Sequence, residues 1–206
     1  MDLSWIRLAE TSLYLLALIN PISKILVLSL LAKELPPVSM RGVILKSTAF
    51  AWAILLVLGI GGRVILGEVF HIQIYSLKVA AGIILFFTGY NALSRGFFFE
   101  VGKDQKPVDL SMVPLAAPMI AGPATITASI TLNVEMGLVP SAICITAAVV
   151  LNFLLMLTYR PISEWLNRLH LMGALIRITG LIIAAISVEM VLSGLGEWWR
   201  LGPGGR

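Results

Sequence analysis

The chain has 206 residues, of which 58% are hydrophobic and only 13% are charged, and its formal net charge is +4. Soluble domains average about 25% charged residues, so this composition excludes an ordinary soluble domain and indicates an integral membrane protein. The basic residues lie at the ends of apolar runs rather than on one face, which argues against a nucleic-acid partner. The single cysteine, Cys144, excludes an intrachain disulfide and a multi-cysteine metal site.

Apolar runs of about 20 residues can cross a bilayer as helices. Six spans are predicted in chain order, at residues 8–31, 42–66, 74–94, 112–134, 138–158 and 174–196. The breaks between them are expected at residues 32–41, 67–73, 94–109, 133–137 and 159–173. The predicted fold class is therefore an all-α integral membrane protein, with residues 1–206 forming a single membrane domain.

The distribution of basic residues predicts the orientation, because Lys and Arg are enriched in short loops on the cytoplasmic side. The loops after spans 1, 3 and 5 hold nine of them, namely Lys33, Arg41, Lys46, Arg95, Lys103, Lys106, Arg160, Arg168 and Arg177. The opposite side holds five, namely Arg7, Arg63, Lys78, Arg200 and Arg206. We therefore expect a multi-pass protein of the inner cell membrane with both termini outside.

The first span contains an interruption, "LINPISKIL" at residues 18–26. A proline inside a helix removes a hydrogen bond at a cost of about 3 kcal/mol, and in lipid the freed carbonyls need partners within the protein. A break at Pro21 is thus expected only against protein or a water-lined cavity. Lys24 lies one turn beyond Asn20 on the same face, and the alternative for Lys24 is that it snorkels to the inner interface.

The fourth predicted span, "MVPLAAPMIAGPATITASIT" at residues 112–131, is interrupted more heavily. Gly122 lets another backbone or a ligand come close, and Pro123 follows it directly. Hydroxyl residues after the break, beginning with Thr125, can supply hydrogen bonds to freed carbonyls or line a path. The alternative for both proline motifs is a packing kink without a binding role.

Self-comparison of the chain predicts two related halves. "NPIS" (20–23) resembles "GPAT" (122–125), "GGRVILGE" (61–68) resembles "TYRPISEW" (158–165), and "LKVAAGIIL" (77–85) resembles "LIRITGLII" (175–183). The predicted repeats cover residues 1–96 and 112–206, with a cytoplasmic linker at 97–111. Because each repeat has three spans, the second must be inverted in the bilayer, which is typical of secondary transporters with discontinuous helices.

The chemistry of two such breaks suits a small zwitterion. Half-helix N-termini carry a partial positive charge that favours a carboxylate, and freed carbonyls at the opposing ends favour an ammonium group. Glu189 is an intramembrane carboxylate and the best candidate for proton coupling, with Asn91 as its counterpart in the first repeat. The alternative for Glu189 is a neutral, hydrogen-bonded carboxylic acid. No cofactor or metal site is expected, because His71 and His170 show no ligand spacing.

At these motifs the chain resembles the MarC family of six-span membrane proteins, which includes small neutral amino acid transporters. The resemblance rests on "INPISKI", "PLAAPMIAGPATIT" and "RITGLIIAAISVEMVLSG" and covers nearly the whole chain. It implies two inverted three-helix repeats with helices 1 and 4 broken at proline, and movement of glycine, alanine or similar amino acids. The candidate substrate-binding residues are Asn20, Pro21, Ser23, Lys24, Gly122, Pro123, Ala124 and Thr125.

The chain departs from the family pattern at four positions. Ser23 and Ala124 stand where glycine is usual, Leu26 where a second proline is common, and Glu189 where glutamine is usual. The two larger residues at the breaks leave the substrate size open, and Glu189 leaves the coupling mechanism open.

The leading hypothesis is a secondary transporter for small neutral amino acids, working by alternating access with proton coupling left open. No GxxxxGK[ST] motif is present, which argues against ATP-driven transport by this chain alone. The sequence lacks a Gly-x-Ser-x-Gly motif and a His-Glu cluster, so an enzyme is not expected. The alternative is a structural or accessory membrane subunit. Transport direction, coupling ion, physiological substrate and oligomeric state remain open.

Overall fold

The computed structural model describes residues 5–32, 36–96, 120–169 and 171–201. These residues form helices and connecting turns, without a strand among them. The helices are α1 (Trp5–Ile19), α2 (Pro21–Leu31), α3 (Pro37–Val64), a π-helical segment (Ile65–Val69), α4 (Ile74–Arg95), α5 (Pro123–Met136), α6 (Leu138–Leu157), α7 (Tyr159–Arg168) and α8 (Met172–Leu201).

Five stretches of the described residues are long and apolar enough to cross a membrane. They are Trp5–Ser29, Ser39–Gly62, Ile74–Arg95, Leu138–Leu157 and Met172–Leu201. These stretches match the first, second, third, fifth and sixth predicted spans, so an all-helical, multi-pass membrane protein is confirmed. The predicted fourth span enters the described residues only at Ile120, and its first half lies outside them. The predicted linker at 97–111 lies outside them as well.

The break predicted at 159–173 does separate the fifth and sixth predicted spans, and the structure adds that α7 occupies most of that stretch. Tyr159, Ser163 and Leu166 are buried, and their spacing is that of one helical face. Trp165 on the opposite face is exposed. Pro161 lies in the first turn, where its missing N–H removes no helical hydrogen bond. The segment is polar overall but amphipathic, and it packs against α2, α6 and α8.

Two layers of contact hold the described bundle together. In one layer α1 packs on α6, and α3 packs on α5 and α6. The interior of this layer is filled by fully buried side chains such as Leu28, Ala51, Cys144 and Ala148. In the other layer α4 packs along α8 over most of its length and also contacts α5. Helix α5 therefore lies between the two layers.

Glycines bring α4 and α8 into close contact. A Cβ atom added at Gly89 would lie 2.7 Å from the carbonyl oxygen of Gly180, and one added at Gly194 would lie 2.7 Å from that of Tyr75. Residue numbers fall along α4 as they rise along α8, so the two helices are antiparallel. Small residues at such an interface let helix backbones approach closely in a membrane.

The contacts of this interface repeat with the spacing seen in the sequence. A Cβ atom at Gly82 would collide with Val191, and one at Gly180, 98 residues later, would collide with Leu93. Val191 in turn follows Leu93 by 98 residues. The contact of Gly82 with Val191 and that of Gly180 with Leu93 are therefore exchanged when each residue is replaced by its counterpart 98 positions away.

We predict that Gly194→Ala destabilises the protein and that Gly196→Ala, two residues along the same helix, does not. The added methyl group at Gly194 meets backbone atoms, whereas nothing lies within 4 Å of one at Gly196. Overpacking of this kind costs about 1–3 kcal/mol. Thermal unfolding of both purified variants in detergent measures the difference, and equal stability of the two would contradict the close approach of α4 and α8.

Candidate functional site

The first broken helix is interrupted at Asn20, one residue before the proline. Asn20 has φ +57°, in the left-handed region, which asparagine tolerates better than most residues. Proline disfavours the right-handed helical conformation in the residue before it and is well accommodated as the first residue of a helix. The pair therefore ends α1 and begins α2 at Pro21, so that two helix ends meet inside one span.

Side chains of α2 supply the hydrogen bonds that this break removes. Ser23 donates to the carbonyl oxygen of Asn20 from its backbone N–H at 3.2 Å and from its hydroxyl at 2.8 Å. The Lys24 amino group donates to the carbonyl oxygen of Ile19 and to the Ser23 hydroxyl oxygen, the latter at 3.2 Å. Only 2% of Lys24 is exposed. The alternative in which Lys24 snorkels to the membrane surface is therefore wrong.

Helix α5 begins at the second proline motif, with Pro123 as its first residue. Gly122 precedes it in an extended conformation and, having no side chain, makes no side-chain cap. The hydroxyl of the buried Thr125 lies 2.8 Å from the carbonyl oxygen of Ile120 and 2.9 Å from that of Gly122. Helix α5 therefore begins without a side-chain cap. Its first-turn N–H groups have no hydrogen-bond partner within their own helix.

The two breaks meet at one cavity of about 180 Å³, which we call the midplane cavity. Seven of the eight candidate substrate-binding residues line it: Asn20, Ser23, Lys24, Gly122, Pro123, Ala124 and Thr125. The eighth, Pro21, begins α2 but is not part of the lining. The two motifs are about a hundred residues apart in the sequence, and the structure brings them together.

The remaining wall of the midplane cavity comes from α1, α4 and α8. Its residues are Leu18, Ile19, Ile84, Leu85, Thr88 and Ile183. Sequence reasoning missed these residues, since apolar side chains in an apolar span carry no local signal of a cavity. Thr88 is the one residue of α4 here with a hydroxyl, which was a weak signal that could have been noticed.

The midplane cavity is lined by basic and polar groups. Lys24 lines it, and so do Ser23 in the first turn of α2 and Pro123 at the start of α5, where helix dipoles place partial positive charge. None of the described lining residues is acidic. The expectation that freed carbonyls would remain available for an ammonium group needs correction. The carbonyls of Ile19 and Asn20 already accept hydrogen bonds from Lys24 and Ser23. The Gly122 carbonyl accepts one from the Ile126 N–H, and the Thr125 hydroxyl is shared between the carbonyls of Ile120 and Gly122.

Comparison with known sequences identifies the family. A profile described as "MarC family integral membrane protein" matches residues 5–199. The chain belongs to the MarC family.

Several relatives of this MarC family protein cover nearly its full length. A UPF0056 membrane protein of Pyrococcus horikoshii is 33% identical over 92% of this chain and 94% of its own. One from Methanocaldococcus jannaschii is 28% identical over 95% of this chain and 98% of its own. YvbG of Bacillus subtilis is 30% identical over 88% and 90%. These names state no substrate, and no solved structure matches the chain significantly.

Glu189 and Asn91, the candidates for proton coupling, lie away from the midplane cavity of this MarC family protein. Glu189 lines a second cavity with Tyr14, Lys78 and Glu135. Asn91 belongs to neither lining. Gly82 of α4 faces the turn of α8 that contains Glu189, so the two lie at the same level of the bundle. Asn91 follows Gly82 by nine residues along α4, which places Asn91 roughly 13 Å from the level of Glu189 along the helix axis. They do not form one site.

Metal binding finds no support in the described ranges, where no group of three His, Cys, Asp or Glu side chains is close enough to hold an ion. The polar groups that could act on a solute at the midplane cavity are instead the Lys24 ammonium, the Asn20 amide and the hydroxyls of Ser23, Thr88 and Thr125. Such groups can donate hydrogen bonds to a small polar molecule and orient it.

We predict that Thr125→Val destabilises the protein by about 1–3 kcal/mol, the cost of leaving a buried carbonyl without its donor. Thr179→Val is the matched control, because the Thr179 hydroxyl bonds only the Leu175 carbonyl within a continuous helix. That carbonyl keeps its backbone donor in the variant. Chemical denaturation of both variants in detergent measures the difference. A loss no larger than that of Thr179→Val would show that the Thr125 hydroxyl is unimportant for the break.

Proposed function

We propose that this protein is a secondary transporter that moves a small neutral amino acid, of the size of glycine or alanine, across the cell membrane by alternating access. It acts as a carrier and not as an enzyme, and proton coupling remains open. The observation that carries the proposal is the meeting of the α1–α2 break and the Gly122–Pro123 start of α5 at a single small cavity inside the bundle. Secondary transporters bind their solutes at such discontinuous helices.

The depth of the midplane cavity supports this function. Leu85 lies at the middle of α4, which runs from residue 74 to residue 95. Ile183 lies near the middle of α8, which runs from residue 172 to residue 201. A cavity at this level is about equally far from both membrane surfaces, as alternating access requires of a site that opens to each side in turn.

The symmetry of the α4–α8 interface supports an inverted repeat of residues 1–96 and 112–206. Two antiparallel helices that exchange equivalent contacts after a shift of 98 residues are related as an inverted repeat requires. In such an architecture the two halves rock against each other around a fixed site. The breaks at Asn20 and Gly122 then belong to corresponding helices of the two halves.

The charges around the midplane cavity suggest how the solute is held. Its carboxylate lies against the Lys24 ammonium and the uncapped first turn of α5, where both the side-chain charge and the helix dipole are favourable. Its ammonium group faces the side-chain oxygens of Asn20 and Thr88. Ser23 and Ala124, each larger than glycine, narrow the space at the two breaks and favour the smallest amino acids.

A structural or accessory role is the competing function. An accessory subunit would use the breaks only for packing, so a change in the polarity of the midplane cavity would alter stability but no solute movement. The burial of a lysine at this depth favours transport, because ionisable side chains inside membrane spans are costly and mark solute or ion paths. Uptake measurements separate the two functions.

We predict saturable uptake of labelled glycine by proteoliposomes containing the wild-type protein. Lys24→Met and Asn20→Leu should each reduce uptake by about tenfold or more, because each removes a polar contact worth about 1.5–3 kcal/mol when a charge is involved. Lys46→Met is the matched control, since Lys46 is an exposed lysine of α3 outside the cavity. An imposed proton gradient that accelerates wild-type uptake would establish coupling.

The same experiment can refute the transport function. No uptake of glycine or alanine by folded wild-type protein, with the gradient in either direction, would favour the accessory role. Uptake that Lys24→Met and Asn20→Leu leave unchanged would move the solute site away from the midplane cavity.

We also propose that both termini face outward. A cysteine introduced by Gly204→Cys should then react with a membrane-impermeant maleimide added to whole cells, whereas one introduced by Lys103→Cys should react only after lysis. The native Cys144 is fully buried and need not be removed. The reverse labelling pattern would overturn the orientation inferred from the basic residues.

A further inference from the structure

A second cavity of about 210 Å³ lies on the side of the bundle where α1 begins and α8 ends. We call it the acidic vestibule, and its polar lining consists of Tyr14, Lys78, Thr127, Thr131, Glu135, Glu189 and Ser193. These residues come from α1, α4, α5 and α8, which also line the midplane cavity. The two cavities are therefore stacked between the same four helices.

The acidic vestibule carries a net negative charge. Lys78 is its one basic residue, and the amino group of Lys78 forms an ion pair with Glu197, the single ion pair found in the described part of the chain. Glu135 and Glu189 have no ion-pair partner among the described residues. Both side chains are exposed. Carboxylates within membrane spans usually face the bundle interior or a water-filled cavity rather than lipid, and both of these line the vestibule.

A polar stripe of α5 joins the vestibule to the midplane cavity. Pro123, Thr127, Thr131 and Glu135 are spaced four residues apart and therefore lie on one face of the helix. Pro123 lines the midplane cavity, and the other three line the vestibule. Thr127 is 0% exposed and donates a hydrogen bond to the Pro123 carbonyl at 2.8 Å, so the path is closed at this point.

Thr131 adds an independent indication of a ligand. Its hydroxyl oxygen is buried and has no hydrogen-bond partner within the described ranges, and it lies on the vestibule wall between Thr127 and Glu135. Buried polar atoms are nearly always hydrogen-bonded. An orphaned hydroxyl beside two carboxylates suits an occupant that donates hydrogen bonds and carries positive charge.

We propose that the acidic vestibule binds the ammonium group of the solute and selects zwitterions before they reach the midplane cavity. This inference rests on the proposed transport function, whose site it extends. A free monocarboxylate is repelled by Glu135 and Glu189, although it suits the positive midplane cavity. A simple cation suits the vestibule. In the midplane cavity, at Lys24 and the α5 terminus, the described residues offer it no carboxylate. Only a molecule with both a positive and a negative charge is favoured in the vestibule and again in the midplane cavity.

The test compares glycine with glycolate, in which a hydroxyl replaces the ammonium group at nearly the same size. Initial uptake of each is measured in proteoliposomes for the wild type, for the double variant Glu135→Gln/Glu189→Gln, and for Glu10→Gln. Glu10 is an exposed glutamate of α1 that lines neither cavity and serves as the matched control. The double variant should lower the glycine-to-glycolate preference by about tenfold, whereas Glu10→Gln should leave it unchanged.

A binding measurement that does not depend on transport distinguishes the two proposals. Methylammonium should raise the thermal stability of the wild type and of Lys24→Met relative to potassium at the same ionic strength, because it binds the folded protein at the vestibule. The shift should vanish in the double variant. A glutamate-dependent shift without any uptake would overturn transport but support the vestibule. Glycine uptake with an unchanged preference in the double variant would overturn the vestibule and leave transport standing.

Discussion

The described structure depends on one constraint of the bilayer interior, where each backbone N–H and C=O group must find its partner within the protein. Two breaks in membrane-embedded helices would violate it without compensation. At the first break Ser23 and Lys24 donate to the carbonyls of Asn20 and Ile19, and at the second Thr125 covers those of Ile120 and Gly122. The side-chain donors next to each proline therefore have a structural role, which is to satisfy the freed carbonyls.

Compensation of the breaks also determines the charge of the midplane cavity. The carbonyls that could have favoured a cation are engaged by side-chain donors, while Lys24 and the starts of α2 and α5 retain their positive character. Under the proposed transport function, the cavity would favour the carboxylate end of a solute more strongly than its ammonium end. A negative vestibule on the same four helices supplies the opposite preference, and the two together would distinguish a zwitterion from either ion alone.

The glycine-lined interface of α4 and α8 gives the site its back wall. Its glycines allow backbone contact between the two helices, and Leu85 and Ile183 reach the midplane cavity from them. Tight helix contact of this kind depends on van der Waals packing, because moving an apolar side chain from lipid into a helix interface gains no hydrophobic free energy.

The sequence by itself determined the features that depend on local composition. Span lengths follow from bilayer thickness, and five of the six predicted spans correspond to long apolar helices of the described residues. Breaks at Asn20–Pro21 and Gly122–Pro123 follow from the geometry of proline and glycine. Seven of the eight candidate binding residues share one cavity because each motif marks a helix end and the ends meet. Their role in binding stays a prediction.

Only the tertiary structure decided which other side chains face that cavity. Ile84, Leu85 and Ile183 look like any apolar residues of a span, and their role depends on how α4 and α8 are rotated against α5. The inward direction of Lys24 depends on the freed carbonyl of Ile19, and the distance of Glu189 from the midplane depends on the antiparallel register of α4 and α8. Hydropathy measures transfer into lipid one residue at a time, whereas convergence of side chains requires packing between helices far apart in the chain.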